Sequence, residues 1–177
     1  RGCPFDCAYC SRVLPERRCT LRSAPSVVAE MEHVWLTHQV KYVNFEDDTF
    51  TLKRSCVLEI AHLLGERGID LRWGCQTRAN LVDYDMLRAM KDAGCVKISF
   101  GVESGAERVR HAIGKPISDR SFRDAFQWCR ELSIETTAFM MLGHPTETAQ
   151  DIQKSIDFSI ELRATYVMFD ITKVVPG

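Results

Sequence analysis

Five times along this chain a run with helical spacing leads into a short strand-like run, and this recurrence limits the fold more than any other feature. The strand-like runs are residues 41–47, 71–76, 96–102, 135–141 and 165–171. Before and between them, Val27, Val28, Met31, Val34, Trp35 and His38 share a helical face after Pro25, and Val57, Ile60, Ala61 and Leu64 share a second that stops at Gly68. Met86, Leu87, Met90 and Ala93 mark a third helix, stopped at Gly94, and residues 105–113 a short fourth. Ser118 is the expected N-cap of a fifth helix carrying Phe122, Ala125, Phe126, Cys129 and Leu132, and residues 147–162 form a sixth with Ile152, Ile156 and Ile160. Strands alternating with helices predict an α/β fold with a parallel sheet and right-handed crossovers.

The strands themselves choose between a doubly wound sheet and an open barrel. A parallel sheet covered on both faces reads as almost uniformly apolar. Here Lys97, Ser99, Gly101 and Glu103 alternate with Val96, Ile98, Phe100 and Val102; Asn44 and Glu46 alternate with Val43 and Phe45; Arg72, Gly74 and Gln76 alternate with Leu71, Trp73 and Cys75. One face is therefore polar and small. With helices on the apolar face, the polar one must line a cavity that holds water or ligand, because unpaired buried polar groups are costly. A curved, incompletely closed barrel meets that requirement.

The amino-terminal ten residues carry the chemistry. Cys3, Cys7 and Cys10 follow a C-x3-C-x2-C spacing on a loop stiffened by Gly2 and Pro4. Three thiolates are one short of a closed zinc or iron–sulfur site, which suggests a cluster with one iron open to a small molecule. The alternative is a zinc-stabilised barrel acting as a binding module, with Cys19 or His33 as fourth ligand, although structural zinc sites usually bring paired C-x2-4-C units.

This spacing, with Tyr9 just before the last cysteine, resembles the radical S-adenosylmethionine (SAM) superfamily. The resemblance covers essentially the whole chain and implies a partial (βα)6 TIM-like barrel, with its first strand expected before Arg1. It implies that Cys3, Cys7 and Cys10 hold a 4Fe-4S cluster whose fourth iron is chelated by SAM. Reductive cleavage of SAM would then give a 5′-deoxyadenosyl radical that takes hydrogen from a substrate, with an electron donor such as flavodoxin or ferredoxin and no protein acid or base needed for radical formation. In β/α barrels such chemistry gathers at the C-terminal strand ends. Asp47, Asp48 and Thr49, in a Phe-x-Asp-Asp-x-Phe segment, look like the subgroup with a cobalamin-binding domain and stand where the family holds the SAM amino group. Their other reading is a cap on the next helix. Glu103 and Ser104, in Gly-Val-Glu-Ser-Gly, are similar to the family's contacts with the ribose and methionine parts of SAM. Gln76 and Arg78 could meet the SAM carboxylate, Gly143 opens a turn like the family's adenine-side Gly-x-Pro-Gly-Glu-Thr with Thr146 in place of the second glycine, and Tyr9 would pack beside the adenine. His144 falls in a variable slot of that turn, and neither it nor Cys19 gains a role.

The totals narrow the rest. At 177 residues the chain is one domain in size. Its 23 Lys and Arg against 24 Asp and Glu, a net charge of −1, give no electrostatic case for nucleic acid or a membrane surface. No apolar run reaches membrane-spanning length and no signal peptide opens the chain. Cys56, Cys75, Cys95 and Cys129 lie among core-like neighbours, where a free thiol behaves as a small hydrophobe. A reducing cytoplasm is the expected compartment. Residues 1–177 are expected to be the catalytic core of a longer protein, with a cobalamin-binding domain and a carboxyl-terminal region outside it. Cobalamin-dependent methylation, ring formation or rearrangement is the expected reaction, and a methylthiotransferase or tRNA-modifying enzyme the alternative. The polar lining is compatible with a small-molecule, lipid, tetrapyrrole or peptide substrate.

Overall fold

A computed structural model of the chain describes residues 2–10 and 19–173. Strands β1 (Tyr42–Asn44), β2 (Arg72–Thr77), β3 (Cys95–Glu103), β4 (Glu135–Leu142) and β5 (Tyr166–Ile171) form one parallel sheet in the order β1-β2-β3-β4-β5. They alternate with α1 (Ala24–His38), α2 (Arg54–Glu66), α3 (Tyr84–Asp92), α4 (Glu107–Ala112), α5 (Asp119–Glu131) and α6 (Ala149–Leu162). Sheet order matches chain order. A doubly wound sheet reverses direction at a switch point; this one winds a single way, curls, and leaves all helices on its outer side.

The register explains the division of faces. Ile98 pairs with Cys75 and Thr136, and Phe100 with Thr77 and Ala138. All six are buried under the helices, where Phe100 meets Phe126 of α5 at a ring separation of 5.0 Å. Such a pair adds about 0.5–1.5 kcal/mol beyond the area it buries. The alternate set, Gly74, Gln76, Ser99, Gly101, Thr137 and Phe139, points to the inside of the curve.

Local signals set the helix ends. Ser118 caps α5, accepting from Ser121 N at 3.2 Å. Helix α6 begins two residues later than its expected start at 147 because Thr148 and Asp151 form a reciprocal capping box. Strand β1 is shorter than the expected 41–47. Phe45 N still donates to Gly74 O at 2.9 Å, but its ring leaves the sheet to pack on Phe50 at 4.5 Å and Trp73 at 5.6 Å. Three successive carboxylates, Glu46, Asp47 and Asp48, then lie exposed in the following turn. Strand β5 is exposed along its whole length.

Candidate active site at the strand ends

The cysteine loop, residues 2–10, is seated across the C-terminal ends of β1, β2 and β3. Ala8 N donates to Ile113 O at 2.9 Å, and Cys10 N to Cys7 O at 3.1 Å. Cys3 Sγ lies 3.6 Å from Thr49 Oγ1, beyond β1. Cys7 Sγ accepts from Arg78 Nη1 at 3.6 Å, beyond β2, and the same guanidinium stacks 3.8 Å over the Phe5 ring. Tyr9 Oη donates to Glu103 Oε1 at 2.8 Å, at the end of β3. The loop thus touches three consecutive strand ends.

Beside it sits a buried charge pair. Lys115 Nζ donates to Glu103 Oε1 at 2.7 Å, and the two side chains are only 6% and 7% exposed. The β3–β4 register shifts between Gly101 and Glu103, and Glu103 takes a left-handed backbone (φ 67°), which turns its carboxylate into the mouth. Gly101 makes room for the pair: a Cβ there would meet Glu103 Oε1 and Lys115 Nζ inside van der Waals contact. Burial, then the Glu103 carboxylate, pushes the Tyr9 phenol well above its usual range, so it stays a donor. Lys115 was not found from the sequence. It sits between two helices with no periodicity to mark it, and its one signal is the Gly114-Lys115-Pro116 interruption.

Two arginines of α4 brace the site from behind. Arg110, fully buried, donates to Ser104 O at 2.7 Å and Ile117 O at 3.0 Å and pairs with Asp119, clamping both sides of the segment that carries Lys115. Arg108 pairs with Asp151 and donates to Thr146 O at 2.9 Å. In the turn after β4, Gly143 N and His144 N donate to Glu147 Oε2 at 2.5 and 3.2 Å. Thr146 adopts φ 71°, so the turn keeps the left-handed geometry a glycine would favour. His144 is buried with its ring 6.0 Å from Tyr9 and its Nδ1 3.5 Å from Thr172 Oγ1.

The sequence-derived candidates are therefore not all in one place. Tyr9, Thr49, Arg78 and Glu103 meet around the cysteine loop. Gln76 lies half-buried on the inner face, Asp47 and Asp48 are exposed at the rim, and Gly143 opens the neighbouring turn. Ser104 faces the other way: fully buried, its hydroxyl lies 3.1 Å from Ser155 Oγ of α6 and accepts from Ala106 N at 3.1 Å, so it fastens β3 to α6. Ser104 follows the end of β3 and the left-handed Glu103, and its backbone N turns back to donate to Val102 O at 2.9 Å.

Among the described residues no three His, Cys, Asp or Glu side chains stand together as a single-ion site. Cys19 donates to Gly2 O at 3.2 Å, and His33 lies on α1 with its Nδ1 3.3 Å from Thr37 Oγ1. Three cysteines on one short loop are, as a donor set, suited to a cluster with one iron left open.

The comparisons with known proteins agree with this geometry. The model of the radical SAM superfamily matches residues 1–159. The chain belongs to the radical SAM superfamily. It is 31% identical over its whole length to an uncharacterized methyltransferase of Pyrococcus horikoshii, covering 39% of that protein. To the anaerobic magnesium-protoporphyrin IX monomethyl ester cyclase of Rubrivivax gelatinosus it is 29% identical over 88% of its length, covering 28% of that protein. The chain thus spans well under half the length of these relatives. Among solved structures, the radical SAM methyltransferase TsrM of Kitasatospora setae, with cobalamin and a [4Fe-4S] cluster bound, superposes with a TM-score of 0.86 over 96% of this chain and 35% of its own, at 21% identity. The cobalamin-dependent SAM radical enzyme OxsB, with aqua-cobalamin and SAM bound, gives 0.82 over 89% of this chain and 25% of its own, at 18% identity. These likenesses show the fold: the five strands are a fragment of the radical SAM α/β half-barrel. Methyltransferases and a cyclase among the relatives make this part of an enzyme of the radical SAM type. Among the described residues no helix is long and apolar enough to cross a membrane.

Proposed function

We propose that this chain is the catalytic core of a radical SAM enzyme that methylates its substrate, or closes or rearranges a ring in it, together with cobalamin held on a domain outside residues 1–177. The observation that carries the reading is the seating of the three-cysteine loop across three strand ends beside a buried Lys–Glu pair. The relatives named as methyltransferases and a cyclase support the reaction class.

Cys3, Cys7 and Cys10 would hold the cluster, which when bound supplies the electron that cleaves SAM. Everything else the chain does is binding and orientation. Asp47 and Asp48, exposed at the rim with Thr49 behind them, suit the SAM ammonium as charge-assisted acceptors. Lys115 and Arg78 set two cations beside the cysteine loop, a place suited to the SAM carboxylate, with Gln76 as a neutral donor nearby. Glu103, held by Tyr9 and Lys115, is an acceptor for ribose hydroxyls, and the Gly143 turn is the backbone surface for the adenine. Ser104 is left out, because its hydroxyl is engaged on the helix side. A flavodoxin or ferredoxin would deliver the electrons.

The test is anaerobic purification of the full-length protein followed by reduction in the presence of SAM. Wild type should cleave SAM and Cys7→Ala should not, whereas Cys56→Ala should cleave it at the wild-type rate. If Cys56→Ala proved as damaging as Cys7→Ala, the ligand assignment would be wrong.

A further inference from the structure

Among the described residues three cations are buried: Arg78, Arg110 and Lys115. Arg110 pairs with Asp119 and Lys115 with Glu103. Arg78, 7% exposed, pairs with no carboxylate among the described residues. Its side chain turns instead to the cysteine loop, where Nη1 donates to Cys7 Sγ at 3.6 Å and the guanidinium lies 3.8 Å over the Phe5 ring. Its Nε is buried with no hydrogen-bond partner among the described residues. A buried charge without a counter-charge is costly, and a buried donor is rarely left without a partner, so this guanidinium is built for an anion that the carboxylates of the chain do not supply. Its root is fixed at the end of β2. The Thr77 and Thr51 hydroxyls are hydrogen-bonded at 2.5 Å, both buried, and Leu81 N donates to Arg78 O at 3.0 Å.

Resting on the radical SAM reading above, we infer that Arg78 is a positioning residue that sets the reduction potential of the cluster: it is the counter-charge of the Cys7 thiolate and, through an N–H···S hydrogen bond, makes the cluster easier to reduce. A thiolate that binds iron keeps lone pairs able to accept from a donor, and hydrogen bonds to the sulfurs and net charge are among the determinants of cluster potential. Three thiolates leave the cluster net negative, and the incoming electron adds a further negative charge. A cation fixed beside one sulfur and shielded from water therefore favours the reduced form more than the oxidised one. The electron count is simple: a donor of the ferredoxin or flavodoxin class loses one electron, the cluster gains it, and Arg78 stays protonated, so no proton moves. A guanidinium suits the place because it holds its charge when buried and its plane stacks on an aromatic ring. Cys3 meets only the neutral Thr49 hydroxyl, at 3.6 Å, so the effect is concentrated on the Cys7 side.

The test is an anaerobic redox titration of the full-length, cluster-loaded protein in the absence of SAM, followed by the electron paramagnetic resonance of the reduced cluster. Arg78→Gln, which keeps an N–H donor and loses the charge, should make reduction about tenfold less favourable or more, a midpoint about 59 mV lower for a one-electron couple. Arg78→Lys, which keeps the charge and loses the planar stack, should change it less than about threefold. A second readout needs no variant: wild-type protein carrying arginine labelled with nitrogen-15 in the guanidinium should show a nitrogen-15 hyperfine coupling to the reduced cluster, and this decides the matter if Arg78→Gln fails to retain iron. Iron content, measured on each preparation before titration, reports the radical SAM reading separately. An Arg78→Gln protein with wild-type iron and an unchanged midpoint, whether or not its SAM affinity falls, or a labelled wild type without the coupling, would overturn the proposal.

Discussion

The Glu103–Lys115 pair is the residue-scale feature with the largest energetic consequence. A carboxylate this enclosed is tolerated because an ammonium and a phenol both donate to it, and removing one partner of a buried pair costs about 3–5 kcal/mol. Lys115→Met should therefore lower unfolding free energy by that amount in urea titrations, and the double variant Glu103→Gln/Lys115→Met should recover most of the loss. An equal loss in the double variant would show that Lys115 acts by packing rather than charge. Thiol chemistry divides at the same scale. Burial pushes Cys129 up to about 12 and raises Cys75 well above its usual value, which makes both poor nucleophiles. At pH 8 the alkylation of Cys75 and Cys129 by iodoacetamide should be at least a hundredfold slower in the folded protein than in urea.

At the scale of elements, the site depends on how α4 and α6 are fixed to the strand ends. Gly105 allows α6 to approach: a Cβ there would overlap Lys154 O, a backbone atom that cannot move aside alone. Gly105→Ala should cost about 1–3 kcal/mol by forcing the helix outward, seen as a lowered denaturation midpoint. The α6 cap gives a pH signature. The Thr148 hydroxyl, then Arg108, holds the Asp151 carboxyl down at about 2, below its usual 3.8. Stability from a depressed carboxyl is fully present above about pH 4 and is lost as pH falls toward 2. Asp151→Asn should flatten the loss of stability between pH 4 and pH 2; an unchanged slope would place the acid sensitivity elsewhere. These elements were largely legible in the sequence, since Ser118, the helical apolar spacing and the strand alternation all act locally. The end of β1 was not, because Phe45 leaves the sheet for an aromatic cluster that includes the distant Trp73; the α6 boundary turns on the local Thr148–Asp151 cap, which competes with the apolar spacing that suggested an earlier start.

At the scale of the molecule, the strand order in the sheet follows chain order, and the five helix–strand repeats of the sequence make that order legible. The cysteine spacing pointed to the mouth of the barrel for the same reason: it is a short-range pattern. What the sequence withheld was long-range. Lys115, twelve residues beyond Glu103 and outside any periodic run, joins the site only through the fold. Ser104 shows the converse, a motif residue whose hydroxyl is engaged by Ser155 of α6 on the helix side. The central claim concerns the three thiols. Iron and zinc analysis of the anaerobically purified full-length protein tests it most directly: the account predicts a brown protein with about four irons per three-cysteine loop, and a colourless protein carrying one zinc would contradict it.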